Sequence, residues 1–138
     1  EELMVAHGLS HQVQWSAVLP GREGRTRIDA AMAALRASSP ARIGTSPVVR
    51  VLDALAGEEV VRGERRPSGL AVSDVLQLQS EDGSRLTVRP SGTEPKIKFY
   101  LELVGDARDR AAVAQARARL EAEAQALRSA LMKELKLL

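Results

Sequence analysis

The segment Arg89–Leu103, RPSGTEPKIKFYLEL, brings together residue types that bind a phosphate group. An arginine can hold a phosphate through two parallel hydrogen bonds, and lysines add positive charge. Hydroxyl groups donate further hydrogen bonds, and a glycine lets backbone N–H groups come close to an anion. The segment therefore predicts a phosphate-binding site made of Arg89, Ser91, Gly92, Thr93, Lys96 and Lys98.

The first four residues of this segment also occur at Arg66–Gly69, in a different setting. The copy at Arg89–Gly92 lies between two predicted strands, and Pro90 and Pro95 stiffen its loop, so less entropy is lost on binding. The copy at Arg66–Gly69 is followed by Leu-Ala-Val, and no further cations converge on it. We therefore predict an ordinary loop there. For the second copy, a tight turn flanked by solvated lysines remains the alternative.

Alternating apolar residues predict the strands that position the second copy. Residues 76–79 and 86–89 each place apolar side chains at every second position. The register that puts these side chains on one face pairs Leu78 with Leu86. It leaves Glu81–Gly83 as a three-residue hairpin loop, whose glycine takes a positive φ.

The next predicted strand covers residues 96–104, and its polar face carries the two lysines. Aligning its apolar face with that of the preceding strand gathers three cations around the loop Pro90–Pro95. Glu94 is the only nearby carboxylate. Like charges opposite each other cost on the order of a few tenths of a kcal/mol, so this arrangement lacks an anion. The predicted pairs are Val88 with Ile97, Thr87 with Lys98 and Arg89 with Lys96.

The remaining segments predict an α+β domain. The order β-α-β-β-β-β-α indicates a mainly antiparallel sheet of four to five strands covered by two helices. A surface loop is predicted for residues 56–70, because they are rich in Gly, Arg, Glu and Pro without periodicity. The other predicted elements are a strand at 11–19, a helix that begins at Thr26 in a variant of the capping box with Asp29 and ends at Ser38–Pro40, a short strand at 47–55, and an amphipathic helix from Asp106.

Composition narrows the class of protein. The 138 residues include 44% hydrophobic and 28% charged residues, which is typical of a globular domain, and no cysteine, which excludes disulfides and thiolate metal sites. No apolar run approaches the ~20 residues that a membrane span requires. The chain begins with Glu rather than Met, so we expect a fragment of a longer protein. We expect residues 1–9 to be the tail of a preceding domain that ends in a helix, and 10–138 to be the next domain.

Two other functions remain open from the residues alone. The net charge of +2 and the pI near 9.4 permit a basic nucleic-acid-binding module. Against it, only three aromatic residues are available for stacking on bases, and glutamates interrupt the basic face of the last helix. The second alternative is a helical interaction module that dimerises through residues 106–138.

The motif RPSGTEPKIKFY, Arg89–Tyr100, resembles the phosphate-binding loop in the last domain of the α-D-phosphohexomutases, the phosphoglucomutase/phosphomannomutase superfamily. The resemblance extends over residues 10–138, and the Lys-Ile-Lys-Phe-Tyr ending is most similar to the phosphoglucomutase/phosphopentomutase branch. It implies that five residues hold the phosphate of a phosphosugar, and the strand pairing adds Lys96 as a sixth. The five are Arg89, Ser91, Gly92, Thr93 and Lys98.

The resemblance also implies an activity for the whole protein. Members of the superfamily interconvert sugar 1-phosphates and 6-phosphates (or 5-phosphates) through a bisphosphate, in the cytoplasm. They use a phosphoserine loop, a Mg²⁺ loop and a sugar-binding loop from earlier domains. This sequence contains none of those loops, so we expect no catalytic residue, no bound metal and no activity in this chain alone. The implied partners are the phosphosugar and the preceding domains, with no membrane and no nucleic acid.

Overall fold

A computed structural model describes residues 9–105 and 110–137 of the chain. Two helices and eight strands occur within these ranges, and no helix in them is both long and apolar enough to span a membrane. In chain order the elements are β1 Leu9–Val18, α1 Gly21–Ala37, β2 Arg42–Ile43, β3 Ser46–Asp53, β4 Glu58–Val61, β5 Glu64–Pro67, β6 Leu76–Ser80, β7 Arg85–Pro90, β8 Lys96–Gly105 and α2 Arg110–Glu134.

The strands form one antiparallel sheet, in the order β1-β8-β7-β6-β3-β4-β5, with the short β2 paired to β3 beside this path. One face of the central strands is apolar, and both helices pack against it. The predicted α+β class, with an antiparallel sheet covered by two helices, is confirmed. The opposite face of these strands is polar, and it carries Arg89, Lys96 and Lys98 at half-buried or exposed positions.

The hairpin of β6 and β7 has the predicted register. Leu78 lies opposite Leu86, and the backbone N–H of Ser80 donates to the carbonyl oxygen of Ser84 at 2.9 Å. Gly83 has a φ of 95°, as the three-residue loop requires. The alternation of apolar residues and the turn chemistry both favour this register, so the sequence was sufficient to predict it.

The predicted surface loop at residues 56–70 is wrong, because β4 and β5 form a hairpin there. Ion pairs connect the two strands of this hairpin. The sequence here lacks the alternation of apolar residues that predicts a strand. Arg65 lies 2.6 Å from Glu58, and Arg66 lies 3.4 Å from Glu59. The four residues of β5 are all exposed, so periodicity could not reveal a strand whose side chains bury so little.

Helix α1 begins at Gly21, five residues before the predicted start at Thr26. The sequence Pro-Gly-Arg-Glu-Gly, which resembles a turn, forms the N-cap and the first turn of the helix. The hydroxyl of Thr26 donates to the carbonyl oxygen of Arg22 at 3.2 Å, so it lies inside the helix instead of capping it. The predicted core positions Ile28, Met32 and Leu35 are buried, and the helix ends before Ser38 as expected.

Two predicted helix boundaries lie at or beyond the limits of the described residues. Leu9 is the first residue of β1 and is buried, so it does not belong to a helical tail, while residues 1–8 lie outside the described residues. The predicted start of the last helix at Asp106 also lies outside them. The apolar positions of α2 point to the core as predicted. Those that are buried are Ala116, Leu120, Ala124 and Leu131.

Candidate phosphate-binding site

The register of β7 and β8 differs from the prediction by two residues. Arg89 lies opposite Lys98 instead of Lys96, and Val88 lies opposite Phe99 instead of Ile97. Strands alternate with a period of two, so both registers keep the same faces together, and the apolar pattern does not distinguish them. The residues Ser91–Pro95 between the two strands form the connection, which we call the 91–95 loop.

Three cations on the polar face surround this loop without a carboxylate partner. Arg89 and Lys98 are directly opposite each other, and Lys96 is two residues earlier on β8. Among the residues that the structure describes, none of the three makes an ion pair. The guanidinium carbon of Arg89 lies 5.9 Å from the centroid of the Tyr100 ring, a cation–π distance. The positive charge at this end of the strand pair is therefore not neutralised by the described protein.

The other end of the same strand pair is electrostatically complementary. Arg85 lies opposite Glu102, and their side chains form an ion pair at 2.7 Å. Hydrogen bonds from Arg85 and then from Gln12 hold the pKa of Glu102 below its usual value. The two strands thus balance their charges away from the loop and leave like charges beside it.

The 91–95 loop is folded around the side chain of Ser91. The Ser91 hydroxyl oxygen accepts hydrogen bonds from the backbone N–H groups of Thr93 at 3.4 Å and Glu94 at 3.3 Å. Both distances are long, so these donors are only weakly engaged. Gly92 and Thr93 are exposed, and the N–H of Gly92 makes no hydrogen bond within the described part of the chain. Several backbone and hydroxyl donors are therefore accessible beside the cations.

The two glycines of the repeated tetrapeptide differ in whether the backbone conformation favours glycine. Gly69 has a φ of 73°, the left-handed conformation that favours glycine. Gly92 does not have a positive φ, and a Cβ atom built on it would meet no protein atom within 4 Å. The described fold therefore explains a glycine at position 69 and does not explain one at position 92. A molecule that approaches the backbone closely would explain it.

The arginine of the first tetrapeptide has a carboxylate partner, in contrast to Arg89. Arg66 lies in β5 and not in the predicted loop, and it shares the carboxylate of Glu59 with Arg50. Hydrogen bonds from Arg50 and then from Arg66 hold the pKa of Glu59 below its usual value. Because its guanidinium already has a carboxylate partner, Arg66 is less available to an anion than Arg89 is.

The predicted site residues adjoin two concave surfaces. Lys96 and Lys98 line a pocket of about 280 Å³. Arg89, Ser91 and Gly92 line another of about 350 Å³. Thr93 is exposed between the strands and does not line either pocket.

Four residues near the site were missed by the sequence analysis. Three of them line the pocket beside the lysines, namely Gln14, Ser16 and Tyr100. The fourth is Arg25, whose guanidinium donates to the carbonyl oxygen of Ser91 at 3.2 Å. Gln14 and Ser16 reach the site because β1 pairs with β8, which places Ser16 opposite Lys98. Tyr100 alone carried a sequence signal, as an aromatic residue two positions after Lys98 on the polar face.

Two other kinds of site can be compared with the structure. Within residues 9–105 and 110–137, no three His, Cys, Asp or Glu side chains are grouped to hold a metal ion. The apolar positions of α2 belong to the same core as the sheet. Dimerisation through that apolar face would therefore require α2 to leave the sheet.

Comparisons with known proteins find relatives that match over half or more of this chain. Residues 52–123, just over half of the chain, match the family model for the phosphoglucomutase/phosphomannomutase C-terminal domain. Three relatives show how much of the chain is shared. A probable phosphomannomutase of Haemophilus influenzae is 42% identical over 74 residues, which are 54% of this chain and 13% of the relative. A phosphoglucomutase of Staphylococcus haemolyticus is 34% identical over 90 residues, or 64% of this chain and 16% of that protein.

The third relative matches over a longer part of the chain. A phosphoglucomutase of Staphylococcus aureus is 31% identical over 105 residues, which are 75% of this chain and 19% of that protein. The chain thus spans less than a fifth of the length of these relatives. The matched family region includes the whole of β7, the 91–95 loop and β8. The chain belongs to the phosphoglucomutase/phosphomannomutase family, as its C-terminal domain.

Proposed function

We propose that this domain holds the phosphate group of a phosphosugar at the 91–95 loop. The observation that carries the proposal is the cross-strand pair of Arg89 and Lys98, two like charges without a carboxylate partner among the described residues. A phosphate between them would convert a repulsive pair into charge-assisted hydrogen bonds, each worth roughly 1.5–3 kcal/mol. The proposed contacts are Arg89, Ser91, Gly92, Thr93, Lys96 and Lys98.

The role of phosphate binding at this loop follows from the chemistry of phosphoryl transfer, which depends mainly on positioning and charge stabilisation. In a full-length mutase, the sugar would be held by the phosphate that does not react while the other phosphate is transferred. We propose an interconversion of a sugar 1-phosphate and a 6-phosphate (or 5-phosphate) through a bisphosphate. The phosphoryl donor, the sugar-binding loop and the Mg²⁺ site would then belong to preceding domains, and this chain alone would be inactive.

Arg89→Ala is expected to abolish phosphate binding by the 138-residue chain, because it removes the only bidentate donor among the proposed contacts. The matched control is Arg66→Ala, which changes the same residue of the other tetrapeptide. Titration with inorganic phosphate, followed by NMR, should shift the amide signals of residues 91–94 in the wild type and in Arg66→Ala, but not in Arg89→Ala. If the signals of residues 66–69 move instead, the wrong tetrapeptide carries the site.

Gly92→Ala is expected to weaken phosphate binding by about tenfold or more, at nearly unchanged thermal stability. The added methyl group meets nothing in the free protein but occupies the space through which a phosphate reaches the backbone. Gly69→Ala is the counterpart. It should cost about 1–2 kcal/mol of stability, because its backbone is left-handed, and leave phosphate affinity intact. Calorimetric titration and thermal melting of both variants measure the two effects. Equal phosphate affinities for Gly92→Ala and the wild type would contradict the proposed approach at Gly92.

A further inference from the structure

We propose that Arg25, near the N-terminus of α1, sets the geometry of the 91–95 loop and is a positioning residue for phosphate binding. This inference rests on the proposed function of the loop. Arg25 is half-buried, and its guanidinium donates to the carbonyl oxygen of Ser91 at 3.2 Å. In the described part of the chain, it is the only side chain from another element that forms a hydrogen bond with the loop.

The neighbouring residue, Gly24, packs against Leu19, whose backbone N–H bonds the other end of the loop. A Cβ atom on Gly24 would lie 1.7 Å from the carbonyl oxygen of Leu19, so only glycine allows α1 to pack this closely against the end of β1. The N–H of Leu19 donates to the carbonyl oxygen of Pro95 at 2.9 Å. Arg25 therefore contacts one end of the loop directly at Ser91, whereas Gly24 packs against Leu19, the residue that bonds the other end at Pro95.

The recorded contact of Arg25 is with the backbone of the loop, and this contact gives it a role in orienting the loop. The pocket beside Arg25 is lined by Asp29 and by Asp74, whose carboxylate pairs with Arg36 at 2.5 Å, as well as by Ser91 and Gly92 of the loop. One terminal nitrogen of the Arg25 guanidinium donates to the carbonyl oxygen of Ser91, at the start of the loop. The hydrogen bond from Arg25 restrains the backbone at Ser91. It thereby keeps the Ser91 hydroxyl and the N–H groups that bond to it in one arrangement.

The affinity for phosphate depends on the fraction of molecules whose 91–95 loop has the binding conformation. When only a fraction of the molecules has the loop in its binding conformation, the apparent Kd rises by the inverse of that fraction. Loss of a charge-assisted hydrogen bond from Arg25 is expected to lower that fraction, and with it the affinity for inorganic phosphate, by about tenfold. The same loss should disturb the free loop, before any phosphate is added.

The test uses the 138-residue chain with Arg25→Ala, Arg25→Lys and, as control, Arg22→Ala. Arg22 lies in the same turn of α1, is exposed and makes no side-chain hydrogen bond among the described residues. NMR of the free protein should show amide shifts at residues 91–94 in Arg25→Ala and none in Arg22→Ala. Calorimetric titration with inorganic phosphate should show about tenfold weaker binding for Arg25→Ala and recovery of most of the affinity in Arg25→Lys, which keeps a cationic donor.

Three results would overturn the inference. Wild-type affinity in Arg25→Ala would show that the contact does not position the loop. Weaker binding with unchanged amide signals in the free protein would make Arg25 a direct phosphate ligand. An Arg22→Ala variant as weak as Arg25→Ala would indicate a general effect of charge. Arg89→Ala distinguishes failure of the proposed function, because phosphate binding that persists in that variant refutes the site itself, whatever Arg25 does.

Discussion

Replacing Phe99 with alanine is expected to lower the free energy of unfolding by about 3–5 kcal/mol. Phe99 is fully buried on the apolar face of β8, between Val88 on one neighbouring strand and Trp15 on the other. Its ring stacks on that of Trp15, with centroids 5.0 Å apart and planes 6° apart. Removal of the ring creates a cavity beneath the site and exposes one face of the tryptophan.

Denaturation with urea, followed by tryptophan fluorescence, measures this loss, because Trp15 is the only tryptophan of the chain. The matched control is Lys98→Ala, the adjacent residue on the opposite face of the same strand. It should leave the free energy of unfolding unchanged or raise it by a few tenths of a kcal/mol, because repulsion with Arg89 is relieved. A loss below about 1 kcal/mol for Phe99→Ala would contradict a close-packed core at this position.

Lys98→Ala is expected to have the opposite profile, with normal stability and a large loss of function. In a full-length mutase that contains this domain, we expect kcat/KM to fall by one to a few powers of ten, at roughly 1.4 kcal/mol for each. The lysine supplies one of the unpaired charges opposite Arg89, and its loss weakens both the hold on the phosphate and the orientation of the sugar. Steady-state kinetics with glucose 1-phosphate, together with thermal melting, measure the two quantities.

Arg85→Ala is the control for charge on the same strand pair. It removes an arginine whose carboxylate partner, Glu102, lies away from the loop, so kcat/KM should stay close to that of the wild type. A Lys98→Ala enzyme that melts early but keeps its kinetic constants would show that Lys98 serves the fold. In that case the polar face would not be the phosphate-binding face.

A strand register was predicted correctly where two independent sequence signals agreed on it. At Glu81–Gly83, the apolar alternation and a turn glycine agreed, and the hairpin register was predicted correctly. Between β7 and β8, alternation alone was available, and it does not distinguish registers that differ by two residues. The prediction therefore paired Arg89 with Lys96, while the loop closed by the Ser91 hydroxyl pairs Arg89 with Lys98.

Local sequence patterns did not predict contacts between elements that are far apart along the chain. Ser16 lies opposite Lys98 only because β1 inserts beside β8, the last strand of the chain. Arg25 reaches Ser91 because the Pro-Gly-Arg-Glu-Gly sequence continues into a helix, where its local chemistry indicates a turn. Local patterns thus predicted the elements and the cations, and tertiary packing supplied the residues that support them.

The β4–β5 hairpin was not predicted because its residues are mostly charged. This charged composition is appropriate for a hairpin at the edge of the sheet. Strand β5 is the last in the strand order, and an edge strand offers unpaired N–H and C=O groups to any other chain that meets it. Its residues are Glu64, Arg65, Arg66 and Pro67, all exposed. Charged side chains repel an incoming strand, and the proline lacks an N–H to pair with it. The hairpin therefore shields the apolar interior strands from edge-to-edge aggregation.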